Sequence, residues 1–178
     1  LTFSKDGNRI YVWEKGGKVW IVENGQKLPV PLIDISEEVG NWVDHGLLGF
    51  ALDPNFESNG YFYLLYVVDR HHLLYYGTRS YSAAANDYNS ATNGRLTRYT
   101  ARSTDNRKTT DLSTRKILIG ESISKGIPIL YMGHGVGSLI FGEDGPLLIS
   151  TGDAGSAGYV DTGYDPANPN DTYVPQAI

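Results

Sequence analysis

Leu139-Ile140-Phe141-Gly142-Glu143-Asp144-Gly145, followed by Pro146-Leu147-Leu148-Ile149-Ser150-Thr151-Gly152-Asp153, is the stretch whose reading decides the fold. Two short apolar runs flank an Asp-Gly pair, the residues that a tight antiparallel turn requires. The pattern recurs. Leu1-Thr2-Phe3-Ser4-Lys5-Asp6-Gly7 shares its leucine, phenylalanine, aspartate and glycine with Leu139 to Gly145, and the apolar run Arg9 to Trp13 follows it. A looser copy, Leu48-Gly49-Phe50-Ala51-Leu52-Asp53-Pro54, is returned by Gly60-Tyr61-Phe62-Tyr63-Leu64-Leu65-Tyr66. Repeated hairpins of this kind point to blades, and blades to a β-propeller of four-stranded antiparallel sheets. A sandwich or meander of similar hairpins is the competing arrangement.

Lys18 to Glu23 continues the first blade after a Gly16-Gly17 turn, and Pro31 to Ile35 closes it. Leu96 to Thr100 and Lys116 to Ile119 complete the second, and the third is only half present. Tyr61, Tyr63 and Leu65 alternate with Phe62, Leu64 and Tyr66, so this strand is apolar on both faces, as expected between two blades. No long segment keeps a helical apolar period free of glycine. Residues 69–95 form a polar, tyrosine-bearing insertion that serves as a rim, a lid or a mobile surface loop. Its His71-His72 pair is read as part of that loop rather than as a metal pair, since adjacent strand residues point opposite ways. The chain, 1–178, reads as cut at both ends, a partial propeller domain; half a propeller is expected to expose the apolar sides of its terminal blades.

With 178 residues, 40% of them hydrophobic, and 21 glycines, the chain is a turn-rich globular protein with room for one real core. Thirteen tyrosines, five phenylalanines and three tryptophans favour strands. A net charge of -5 argues against nucleic acid as a partner. The absence of cysteine excludes disulfides and thiolate metal sites. No apolar run approaches a membrane span, and no signal peptide is recognisable.

Connectivity gathers the polar candidates. The loops before the first strand of a blade and after its second lie on one face, which collects Asp44-His45, the loop after Val68, His134 and Asp153. The Asp-Gly turns fall on the opposite face. Asp153, after a Thr-Gly pair, is read chiefly as a loop cap that accepts from backbone N–H groups.

Asp44-His45-Gly46-Leu47-Leu48-Gly49-Phe50-Ala51-Leu52-Asp53-Pro54-Asn55-Phe56 with Asn59 to Tyr63, and His134 through Asp153, resemble the soluble glucose/sorbosone dehydrogenase family in order and spacing. The resemblance implies a six-bladed propeller, about half of it in this chain, binding pyrroloquinoline quinone on its axis, usually with calcium. It implies oxidation of an aldose at the anomeric hydroxyl, with His134 as the base that takes the hydroxyl proton while hydride passes to the quinone. Imidazole suits this because it can be neutral and accepting when substrate arrives. Gly133, Gly135 and Gly137 read as room for a flat cofactor and a sugar, and Asp44, Gly133, Gly135, Asp153 and Gly158 as the cofactor side of the site. Asp44 stands where the family places a glutamine, Gly133 where it places a carboxylate, and Gly158 where it places a second glutamine. The cofactor's arginine, asparagine and lysine partners and the calcium ligands would lie beyond Ile178. Asp161 and Asp165 are weak candidate oxygen ligands within the chain, without the spacing of an EF-hand.

The expected partners are a small sugar, a dye-like or cytochrome electron acceptor and the rest of the protein's own propeller, in a periplasmic or extracellular setting. The alternative from another class is a non-catalytic propeller binding module of the Hedgehog-interacting-protein type.

Overall fold

The computed structural model describes residues 1–130 and 132–154 of the chain; Gly158, Asp161 and Asp165 lie outside them. Among the described residues the chain is built from antiparallel sheets. The first contains β1 (Thr2–Phe3), β2 (Arg9–Trp13), β3 (Lys18–Glu23), β4 (Gln26–Lys27) and β5 (Ile33–Asp34). The second contains β6 (Leu47–Leu52), β7 (Tyr61–Val67), β8 (Thr92–Thr100), β9 (Lys116–Ile119) and β10 (Ile127–Ile129), with the short helices α1 (Phe56–Asn59) and α2 (Arg70–Tyr75) in its connections. The third is the hairpin of β11 (Val136–Phe141) and β12 (Leu147–Thr151).

The sheets are all-β propeller blades, and each strand of the hairpin repeat falls where the sequence puts it. The turns are built alike: Gly7 donates to Ser4 O and Gly145 to Gly142 O, with φ of 75° and 96° at the two glycines. Those positive φ values are why both copies carry glycine. In the second copy a helical turn replaces the tight one. Asp53 accepts from Asn55 N and Asn59 Nδ2, each at 2.9 Å, and Gly60 closes α1 at φ 70°.

The fourth position of each large blade holds its expected strand, β5 within Pro31 to Ile35 and β9 at Lys116–Ile119, together with a second strand that the sequence did not show. In the first blade it is split between β4 and β5, both paired with β3. In the second it is split between β9 and β10, both paired with β8, with a register shift between Leu96 and Thr97. β8 begins at Thr92 rather than Leu96, because β7 pairs with it as far as Val67–Gly94. The insertion therefore ends before residue 92 and carries α2, whose first turn is capped by Asp69 accepting from His71 N and His72 N.

β7 is the packing axis. Phe62, Leu64 and Tyr66 face the first blade, joining Tyr11, Ile21, Leu32 and Phe50 in one core. Leu65 and Val67 face the third, with Leu96, Ile129, Val136 and Leu139. All five of these β7 side chains are fully buried. Burying a side chain of this size contributes about 1.5–3 kcal/mol each, so the two-faced apolar pattern of this strand is what holds three blades together.

Candidate active site

His134 and Asp153 meet because the β11–β12 hairpin continues past its last paired strand residues. Val136 pairs with Thr151; beyond them Gly152 N donates to Gly135 O at 2.6 Å and Ala154 N to His134 O at 2.9 Å. That register sets Asp153 opposite His134, and Asp153 Oδ1 lies 2.9 Å from His134 Nδ1. The two side chains are 54% and 71% exposed. His134 itself sits at φ 55°, left-handed backbone that a non-glycine residue adopts at a cost of about 1 kcal/mol or more. Its carbonyl holds Ala154 in place, and a Cβ on Gly152 would collide with that same oxygen. The imidazole is thus mounted on a constrained turn and gripped from the opposite strand.

The second blade supplies the neighbouring wall. Asp44 N donates to Met132 O at 3.3 Å, and a Cβ at Gly133 would sit 3.0 Å from Asp44 Oδ2. His45 is fully buried beneath this loop, its ring 4.6 Å edge-to-face from Trp42. A Cβ at Gly135 would press on the His45 ring and Ile129 Cδ1 at 2.9–3.0 Å, and one at Gly137 on Ser150. Protein packing therefore accounts for Gly135 and Gly137, which the sequence suggested as room for a ligand. Val43, next to Asp44, is held at φ 44° with Lys15 Nζ donating to its carbonyl. For a β-branched residue this is a strained conformation.

The structure brings His134, Asp153, Asp44, Gly133 and Gly135 together on one face. Asp153, read from the sequence as a cap on backbone N–H groups, contacts the imidazole of His134. His45, packed under the Gly135 backbone, is the supporting residue that sequence reading left without a role; its place beside Asp44 in the site-face loop was the only signal. The insertion packs on the earlier part of the connection that carries Asp44 and His45: Tyr81 Oη donates to Glu37 at 2.6 Å, and Asp69 N to Glu38 O at 2.9 Å. His71 and His72 lie on α2 rather than on a strand, the first accepting from Ser82 N and the second stacked on Tyr76. Among the described residues no three His, Asp or Glu side chains group as a metal site. No described helix is long and apolar enough to cross a membrane.

The profile of the family described as glucose/sorbosone dehydrogenase matches residues 1–171. Among solved structures, a glucose dehydrogenase-type oxidoreductase from Thermus thermophilus superposes with a TM-score of 0.56 at 22% identity, over 84% of this chain and 35% of that one. The PQQ-bound form of an aldose sugar dehydrogenase from Streptomyces coelicolor gives 0.52 at 21%, over 87% and 37%. Among curated proteins, the HIPL2 protein of Arabidopsis thaliana is 26% identical over 83% of this chain and 24% of its own length. The human Hedgehog-interacting protein is 29% identical over 84% and 20%. The chain thus spans a quarter or less of these two curated relatives and little more than a third of the solved dehydrogenases.

Proposed function

Because the chain belongs to the glucose/sorbosone dehydrogenase family, we propose that its full-length protein oxidises an aldose or related sugar at the anomeric hydroxyl, with His134 as general base and pyrroloquinoline quinone as hydride acceptor. The observation that carries this reading is the 2.9 Å contact between His134 Nδ1 and Asp153 Oδ1 on two exposed side chains. A carboxylate on Nδ1 keeps the proton of neutral imidazole on that nitrogen and leaves the Nε2 lone pair to accept one. As the substrate hydroxyl proton arrives at Nε2, the ring becomes cationic and Asp153 stabilises it through the same bond. Asp153 is therefore a positioning residue.

An exposed imidazole with one nitrogen fixed and the other open suits proton removal beside a hydride acceptor. When bound, the quinone takes the two electrons and the hydrogen of the anomeric carbon, leaving the lactone. Gly133, the Gly135 backbone and Asp44 would border it. Asp44 is a poor neighbour for the carboxylates of that cofactor, so cationic groups from the remaining propeller are needed to hold them. The PQQ-bound aldose sugar dehydrogenase supports this choice of cofactor. Calcium, an external electron acceptor and a periplasmic or extracellular location belong to the same proposal.

The similarity to the Hedgehog-interacting protein favours a second reading, a propeller that binds a partner without redox chemistry. Titrating the full-length protein with pyrroloquinoline quinone and following its absorption separates the two. A dehydrogenase gives a saturable spectral change and quinone reduction on addition of an aldose; a binding module gives neither.

A further inference from the structure

His45 N donates to Trp42 O at 2.8 Å and closes a four-residue turn with Val43 and Asp44 at its centre. The turn stands in the connection between β5 and β6, on the face that carries His134. The backbone angle φ is 44° at Val43 and is not positive at Asp44. A positive φ at the second position alone is the type II′ pattern, and that position ordinarily takes glycine. A β-branched residue is among the least suited to it. The Val43 side chain is 53% exposed, so little burial offsets the strain. Backbone of this kind persists only where its surroundings impose it.

The restraint comes from the first blade. Lys15, in the turn between β2 and β3, donates from Nζ to Val43 O. Its own carbonyl accepts from Leu47 N at 2.8 Å. A Cβ on Gly46 would collide with Lys15 Cγ and with that carbonyl oxygen, so the lysine stem lies tight across the backbone that follows the turn. A lysine seated along its stem loses little further freedom when its ammonium bonds, and a charged donor makes the stronger kind of hydrogen bond.

The other side of the turn bears on the third blade. Asp44 N donates to Met132 O at 3.3 Å, and the His45 ring would meet a Cβ on Gly135 at 3.0 Å. Met132 and Gly135 flank His134 in the chain, so both contacts support its loop. Val43 directly precedes Asp44 and His45, and a turn that relaxed there would shift both supports.

We infer that Lys15 is a positioning residue for the candidate active site. Its ammonium holds Val43 in left-handed backbone, and the turn so fixed sets Asp44 and His45 against the loop that carries His134. The consequence for quinone binding rests on the dehydrogenase reading; the hold on the turn does not.

The test compares full-length wild type with Lys15→Met, Val43→Gly and the double variant. Methionine keeps most of the stem and removes the donor. Hydrogen exchange at the His45 amide is followed without cofactor, and quinone affinity is read by absorption. Lys15→Met is expected to speed His45 exchange at least about tenfold and to weaken quinone binding about three- to tenfold, with the melting temperature close to wild type. Adding Val43→Gly should restore both, because glycine takes a positive φ without an ammonium to hold it. Unchanged His45 exchange in Lys15→Met overturns the inference. Faster exchange with unchanged quinone affinity contradicts it too, since the site would then be indifferent to the turn. A loss of affinity that Val43→Gly does not restore, and that shrinks in high salt, assigns Lys15 a direct charge interaction with the anionic cofactor and removes the positioning role. If wild type binds no quinone, the dehydrogenase reading falls, and the exchange rates with their rescue still decide the hold on Val43.

Discussion

At His134 the decisive atoms are the ring nitrogen facing Asp153 and the backbone oxygen facing Gly152. Asp153→Asn keeps the shape of the contact and removes the charge that supports a cationic ring. We expect kcat to fall at least about tenfold, with quinone affinity and melting temperature close to wild type. A residue that only capped its loop would give the reverse, a lower melting temperature with kcat retained. Asp44→Gln removes a like charge from the border of an anionic cofactor and should tighten quinone binding by roughly two- to fivefold; unchanged or weaker binding would show that Asp44 does not face it. The identities of these residues were legible in the sequence, but their reasons were only partly so. The contact of Asp153 with the imidazole did not show in the sequence, because it depends on a register that lies beyond a bulge between Val136 and Leu139. Gly135 read as space for a ligand because a sequence shows a missing side chain without showing that His45 and Ile129 fill the gap.

Among the elements, the inner hairpins and the outer strand β9 at Lys116–Ile119 were legible, and the shortest outer strands were not. β2, β3, β6, β7 and β12 announce themselves through apolar runs and turn glycines. β4 and β5 are two residues each, too short for an alternation to show, and β10 carries a proline at Pro128. The ion network around Glu38 was invisible for another reason: Glu38 lies 57 residues from Arg95 and 77 from Arg115. Glu38→Gln would leave two guanidiniums facing a neutral amide in a buried site, and we expect a loss of about 3–5 kcal/mol in urea unfolding. The same network sets the acid response. Burial alone would raise the Glu38 carboxyl, but Arg95, Arg115 and the Tyr66 hydroxyl hold it below the usual carboxylate range. Burial lowers the His72 imidazole against the pull of Glu38. Both shifts run downward on folding, so the unfolded chain binds more protons in acid. The stability they contribute is present above the unfolded values and is lost as pH falls through the folded ones. Urea midpoints should therefore drop below the imidazole range and again through the carboxylate range; a flat profile from about pH 7 to pH 4 would contradict this.

At the scale of the molecule, β7 is enclosed on both faces while the flanks of the chain are not. Leu1 and Phe3 on the first blade are 70% and 57% exposed, and Ile140 and Leu148 on the third are 63% and 52%. The sequence showed the enclosed part of this, since Tyr61 to Tyr66 is apolar on both faces. It also showed which loops share a face, because that follows from the order of strands within a blade. The chain covers about a third of the solved dehydrogenases, 35% and 37% of the two described above, so the chemistry is to be tested in the full-length protein. The direct measurement is the rate of quinone reduction by saturating aldose in wild type and His134→Ala, each loaded to saturation with pyrroloquinoline quinone. If His134 takes the hydroxyl proton, the variant binds quinone as wild type does and reduces it about 10²–10⁴-fold more slowly. Equal rates at equal cofactor saturation would remove His134 from the mechanism.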